Sequence, residues 1–255
     1  MRKFKIILCV SMVALVALGT MTVGALAMNN RLWFQTEEVT DAYVFPVTPE
    51  KAPEKWREFQ THAEMTEACQ VPEEVLKAMS TKGLVETCLN YPLFGDFMAF
   101  STPVQGASTV CSRFNGFQEL SSRPDAGFEL KAIYEKISLK EVVSSDEFSA
   151  MRLRFLEYVL AQDGYLDKLD AESRDVLLEK CKAIILEKYN DYRDVFRVDS
   201  TLYLAAKVLS KDNKAFIDLS AENEAIELFL KTGELRDIST ELVGQVLDIL
   251  NVERS

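Results

Sequence analysis

Apolar residues recur at three- and four-residue spacing through most of this chain, and that period predicts helices. Between 170 and 192, Val176, Leu177, Cys181, Ile184, Ile185, Tyr189 and Tyr192 fall on one face opposite acids and lysines, with Asp170 placed to cap the segment. Phe148, Met151, Phe155, Tyr158 and Val159 form a second stripe that ends at Asp163-Gly164, and Leu202, Leu204, Ala205, Val208 and Leu209 form a third. Ala225 to Leu230 and then Leu242, Val246, Ile249 and Leu250 follow.

Before about residue 145 the units are shorter and divided by Gly, Pro and Ser turns. Thr61 with Glu64 makes a capping box, and Pro72-Glu73-Glu74 opens the next helix with proline in its first turn and acids at the positive end of its dipole. Thr81 caps the segment through Leu84, Val85, Cys88 and Leu89; Asn115 caps Phe117 to Leu120; Pro124-Asp125 opens a helix bearing Phe128, Leu130, Ile133, Tyr134 and Ile137.

Alternation of the strand kind is nearly absent from this stretch, so the fold class expected is all-α. Short amphipathic helix–turn–helix units laid end to end suggest an irregular α-solenoid of the HEAT or armadillo kind, with a compact irregular helical bundle as the alternative.

Two segments precede this body. Residues 28–53 read as an extended arm, because Pro46, Pro49 and Pro53 break helical pattern while Val39, Tyr43, Val44 and Phe45 favour extended backbone. Trp33, Phe34, Tyr43 and Phe45 are costly to leave in water, so part of the arm should dock on the helical domain, 54–255. Residues 1–27 have the layout of a secretory signal peptide: Arg2, Lys3 and Lys5, an apolar run from Ile6 to Val16, and the small-x-small site Ala25-Leu26-Ala27. Cleavage after Ala27 would leave an extracytoplasmic protein with no stable membrane insertion. Retention would leave residues 6–27 as an anchor, since that stretch is long enough to span a bilayer.

Composition narrows the partners. The net charge is −11, from 29 basic and 40 acidic residues, and it becomes more negative once the basic leader is removed. A surface that acidic repels phosphate backbones and anionic headgroups, which sets nucleic acid aside. Cys69, Cys88, Cys111 and Cys181 remain after the leader; their even count permits disulfides in an exported protein, and their apolar helical settings equally suit buried thiols.

Candidate chemistry is sparse. His62 is the single histidine, which leaves nucleophilic triads and catalytic zinc poorly supplied; His62, Glu64 and Cys69 would need a distant fourth ligand, so no metal and no cofactor is expected. Asp163-Gly164 to Asp170 resembles a calcium loop only superficially and reads as a helix–helix turn. Asp96 is the one carboxylate in an aromatic turn, Tyr91-Pro92-Leu93-Phe94-Gly95-Asp96-Phe97, where it would serve either as a catalytic acid or as a cap. Tyr91, Phe94 and Phe97 are candidate binding residues in that aromatic-rich stretch, unless they form the core between short helices.

The stretch from Leu84 to Asp96 is the most individual in the chain. Together with Ala68-Cys69-Gln70, Pro72 to Leu76, Met79-Ser80-Thr81, Asn115-Gly116, Gln118 to Leu120 and Arg123 to Gly127, it resembles a group of exported bacterial proteins of unknown function, over about residues 56–135. The resemblance implies export and carries no activity with it. Two functions remain: a non-enzymatic module that binds protein or peptide, or a cell-wall or glycan hydrolase using paired carboxylates, with Asp96 as one of the pair.

Overall fold

The computed structural model describes residues 32–35, 39–235 and 240–250, so the leader expected over 1–27 lies outside the described residues. The body is all-α. Its helices are α1 (Pro53–Glu58), α2 (His62–Ala68), α3 (Glu73–Ala78), α4 (Thr81–Leu89), a 3-10 helix (Phe94–Ala99), α5 (Pro103–Arg113), α6 (Asn115–Ser122), α7 (Ala126–Glu135) and α8 (Leu139–Ser145). They continue as α9 (Ser149–Leu160), α10 (Asp163–Leu166), α11 (Ala171–Asn190), α12 (Asp199–Asp212), α13 (Lys214–Ala221), α14 (Glu224–Thr232) and α15 (Thr240–Ile249). No strand occurs among the described residues, and none of their helices is long and apolar enough to cross a membrane.

Several helix starts follow the sequence chemistry. Thr61 Oγ1 accepts the Glu64 amide at 3.2 Å while Glu64 Oε2 accepts that of Gln60 at 2.8 Å, a reciprocal cap displaced by one residue. Asp170 Oδ1 accepts the Ser173 amide at 2.8 Å. Two expected caps are spent elsewhere. Ser80, not Thr81, caps α4, because the Thr81 hydroxyl donates to Asp125 at 2.9 Å. Asn115 lies inside α6, and its amide clamps Val71 instead: Oδ1 accepts the Val71 N–H at 3.0 Å and Nδ2 donates to the Val71 carbonyl at 2.7 Å. A tertiary clamp of this kind leaves no trace in local spacing.

Helix α9 sits at the centre, packed by α5, α7, α8, α12 and the 3-10 helix. It is buried on all sides, from Ser149 through Arg152 and Leu153 to the unbroken run Phe155–Leu160. The far end of the chain returns to the first half: α14 packs on α5, and the Tyr158 hydroxyl donates to the Gly233 carbonyl at 3.2 Å. Gly233 ends α14 at φ 74°, where a side chain would be strained. In a solenoid each unit meets only its neighbours. The contacts here are those of the irregular bundle.

The arm docks as its aromatics require. Phe34, Phe45 and Val47 are buried, the Phe45 ring packs against both Tyr91 and Phe114, and Val44 next to it stays in water. Polar contacts fix its register: the Tyr43 amide donates to Thr87 Oγ1 at 2.8 Å, and Asp41 accepts from the Ser80 amide and hydroxyl at 2.6 and 3.0 Å. In α11, Leu177, Cys181, Ile184 and Ile185 form the buried stripe their spacing predicts. Cys69, Cys88, Cys111 and Cys181 are all free thiols.

Gly106 marks the tightest approach in the core, where α5 crosses the 3-10 helix. A Cβ at 106 would overlap the Phe97 carbonyl, which is backbone and cannot swing aside. Gly106→Ala is therefore expected to push the two elements apart at about 1–3 kcal/mol. Calorimetry should show the melting temperature falling by about 2–4 °C per kcal/mol. An unchanged melting temperature would mean that this crossing is looser than described.

Candidate functional site

The chain leaves α4 through Tyr91-Pro92 and tightens into the 3-10 helix. With three residues per turn, positions i and i+3 eclipse, so Phe94 and Phe97 share one face and Asp96 takes another. The shared face is the core. Phe97 lies 5.3 Å from the Phe155 ring, and Phe94 carries the Arg152 guanidinium 4.1 Å above it. Tyr91 stacks on Phe114 with centroids 4.2 Å apart and planes 15° from parallel. The three rings offered by the sequence as binding residues are thus buried between helices and present no surface to a ligand.

Asp96 faces outward with about a third of its side chain exposed, and what meets it is His62 from α2: Nε2 stands 2.5 Å from Oδ2. The other ring nitrogen lies 3.4 Å from Thr66 Oγ1, whose hydroxyl donates to the His62 carbonyl at 3.0 Å. Below them are Tyr91, whose hydroxyl reaches Thr66, and the buried Cys69. Burial, reinforced by the Asp96 carboxylate, pushes the Cys69 thiol up to about 11. Burial likewise drives the Tyr91 hydroxyl upward.

This chemistry is that of a contact rather than a nucleophile. An attacking cysteine needs its thiolate favoured, and Cys69 is shifted the other way. Thr66 has its proton engaged with backbone. Glycoside hydrolysis needs two carboxylates spaced to flank a bond, whereas the group facing Asp96 is an imidazole. Glu64 accepts from the Gln60 amide, and no group of three His, Cys, Asp or Glu able to hold a metal occurs among the described residues.

The His62–Asp96 pairing spans 34 residues and has no local signal. The calcium-like turn shows its own partners. Asp163 and Asp167 each stand 2.7 Å from Lys211 Nζ, and Lys207 adds a contact to Asp163 at 3.1 Å. Ammonium groups occupy the place a cation would take.

A separate cavity of about 270 Å³ opens between α4 and α7 under the arm. Val39, Val85 and Ala132 line it, Phe128 stands at 40% exposure on its wall, and Lys82 and Lys136 contribute their side chains. None of its lining residues belongs to the Asp96 site. No family model, no curated protein and no solved structure matches the chain.

Proposed function

We propose that this chain is an exported, non-enzymatic helical module that binds a protein or peptide partner. The cavity between α4 and α7 is the observation that carries the reading. At about 270 Å³ it is a little smaller than the usual small-molecule pocket and suits one or two apolar side chains of a partner. Phe128 supplies an exposed aromatic at its wall, the kind of residue on which binding energy concentrates. Export rests on the leader pattern of residues 1–27.

A photo-crosslinking residue at position 132, inside the cavity, is the test in cells that export the protein. The expected result is one discrete adduct, weakened at least tenfold by Phe128→Asp with no change in melting temperature. A tenfold loss corresponds to about 1.4 kcal/mol, modest for an anchoring aromatic. An adduct indifferent to Phe128→Asp would place the contact elsewhere. Release of reducing ends from cell-wall glycan, lost in Asp96→Asn, would overturn the non-enzymatic reading in favour of the hydrolase.

A further inference from the structure

Helices α1 and α2 have six and seven residues and contribute no buried side chain between them. Isolated helices this short do not persist in water, so contacts with the body must hold them. Before the segment, Phe45 is buried in the core and the Ala52 amide donates back to the Thr48 carbonyl at 3.0 Å. At its end Gln70 binds the backbone of Arg113 and Asn115, and Asn115 binds Val71. Between these two anchors Trp56 and Met65 pack partly against the core, and the charged contact to the body is His62 with Asp96. Beneath α2 lie Cys69 and the Tyr91–Phe114 stack.

We propose that the His62–Asp96 contact is a pH-sensitive latch that closes α2 over Cys69 and Tyr91 when the imidazole is protonated and loosens when it is neutral. Histidine is the side chain whose ordinary titration falls between pH 5 and 8. Protonation turns a hydrogen bond to a carboxylate into a charge-assisted one, which is the stronger of the two. The other groups around it are few. Asp96 faces it from the 3-10 helix, the permanently charged Arg113 of α5 acts on the neighbouring Tyr91, and α2 itself carries Glu64 and Glu67. Cys69 and Tyr91 are both pushed upward by burial and keep their protons through neutral pH. Carboxylates as a class titrate near pH 4. Of the side-chain classes gathered here, histidine is the one whose ordinary range spans this window.

The pair is half in water, which sets the scale at about a two- to fivefold change in the opening equilibrium. Hydrogen–deuterium exchange of the full chain at pH 5.5 and pH 8.0 reads it directly once intrinsic exchange rates are divided out. The expectation is that protection across residues 62–69 falls about two- to fivefold at the higher pH, while protection in α9 and α12 does not change. His62→Gln and Asp96→Asn should each lower that protection at pH 5.5 and flatten its pH dependence. Alkylation of Cys69, corrected for thiolate fraction, should accelerate in parallel. Protection independent of pH in the unmutated chain, or a pH dependence that survives in His62→Gln, overturns the latch. Both outcomes are independent of whether the α4–α7 cavity binds a partner.

Discussion

Lys188→Met is expected to cost about 3–5 kcal/mol of stability, because it strands the Glu157 carboxylate in the centre of the bundle. Both side chains are almost fully buried. Lys188 Nζ from α11 donates to the two Glu157 oxygens at 3.1 and 3.2 Å and to Thr201 Oγ1 at 2.7 Å, which uses all three of its protons. The carboxylate, on α9, also accepts from Ser200 at 2.5 Å and Thr201 at 2.6 Å on α12, and from Tyr134 at 3.1 Å on α7. One ion pair therefore joins four helices. Domains of this kind are stable by about 5–15 kcal/mol, so the single variant would sit near the folding limit.

The double variant separates an unpaired charge from lost packing. Glu157→Met with Lys188→Met removes both charges together and should recover at least about 2 kcal/mol relative to the sum of the single losses. The stranded hydroxyls have other acceptors: Ser200 and Thr201 can turn to carbonyls of the preceding turn, and Tyr134 retains Cys181. Urea denaturation of the four proteins of the cycle measures this coupling. Strictly additive losses would show that the pair is no more than filler.

The two helices that meet at this pair also show what could be read from the sequence. In α11 the periodic stripe predicts the buried positions Leu177, Cys181, Ile184 and Ile185, because one side of that helix meets water and the contrast survives as a 3.6-residue period, but Val176 and Tyr189, read on the same stripe, stand exposed at its edge. Lys188 falls four residues after Ile184 and seven after Cys181, on the buried register, so its position carried the signal although its charge suggested solvent. Helix α9 has no polar side, and a helix buried all round has no contrast to read. Its stripe would place Phe148 inside, yet Phe148 is 44% exposed while Arg152 and Glu157 are within. Arg152 is held there by Phe94, Phe34 and the Leu89 carbonyl at 2.5 Å. Those partners come from 55 or more residues away in the chain.

The candidate site divides in the same way. Asp96 is legible as an acid in an aromatic turn, and the i, i+3 spacing of Phe94 and Phe97 fits their common burial. His62 is found only once the fold brings α2 to the 3-10 helix. The cavity between α4 and α7 depends on the arm's course and leaves no motif.

Raising the pH should unfold this protein cooperatively between about pH 9.5 and 11, and the cause lies in its thiols. Burial pushes Cys69 up to about 11 and Cys111 up to about 12, and it drives Cys88 and Cys181 well upward too, with the Glu157 charge adding to the effect at Cys181. In the unfolded chain such thiols ionise near pH 8.5. Above that value the unfolded state has fewer bound protons than the native one, so stability falls as pH rises. The stabilising contribution is complete below the unfolded value and is lost progressively toward the native one. Each thiol that stays protonated contributes a slope of about 1.4 kcal/mol per pH unit, so Cys88 and Cys181 alone give about 3 kcal/mol per unit. Tyr91, Tyr134, Tyr158, Tyr165 and Tyr203 are raised by burial as well and steepen the fall above pH 10. Helical circular dichroism and the tyrosinate absorbance of these five residues, followed together, should therefore change in one transition. Replacing Cys88 and Cys181 by alanine should make the stability decline between pH 9 and 10 shallower by about 3 kcal/mol per unit, even though the cavities lower the starting value. Ionisation of these five tyrosines near pH 10 while the helix signal stays intact would show that their hydroxyls are open to solvent and that the core is packed differently.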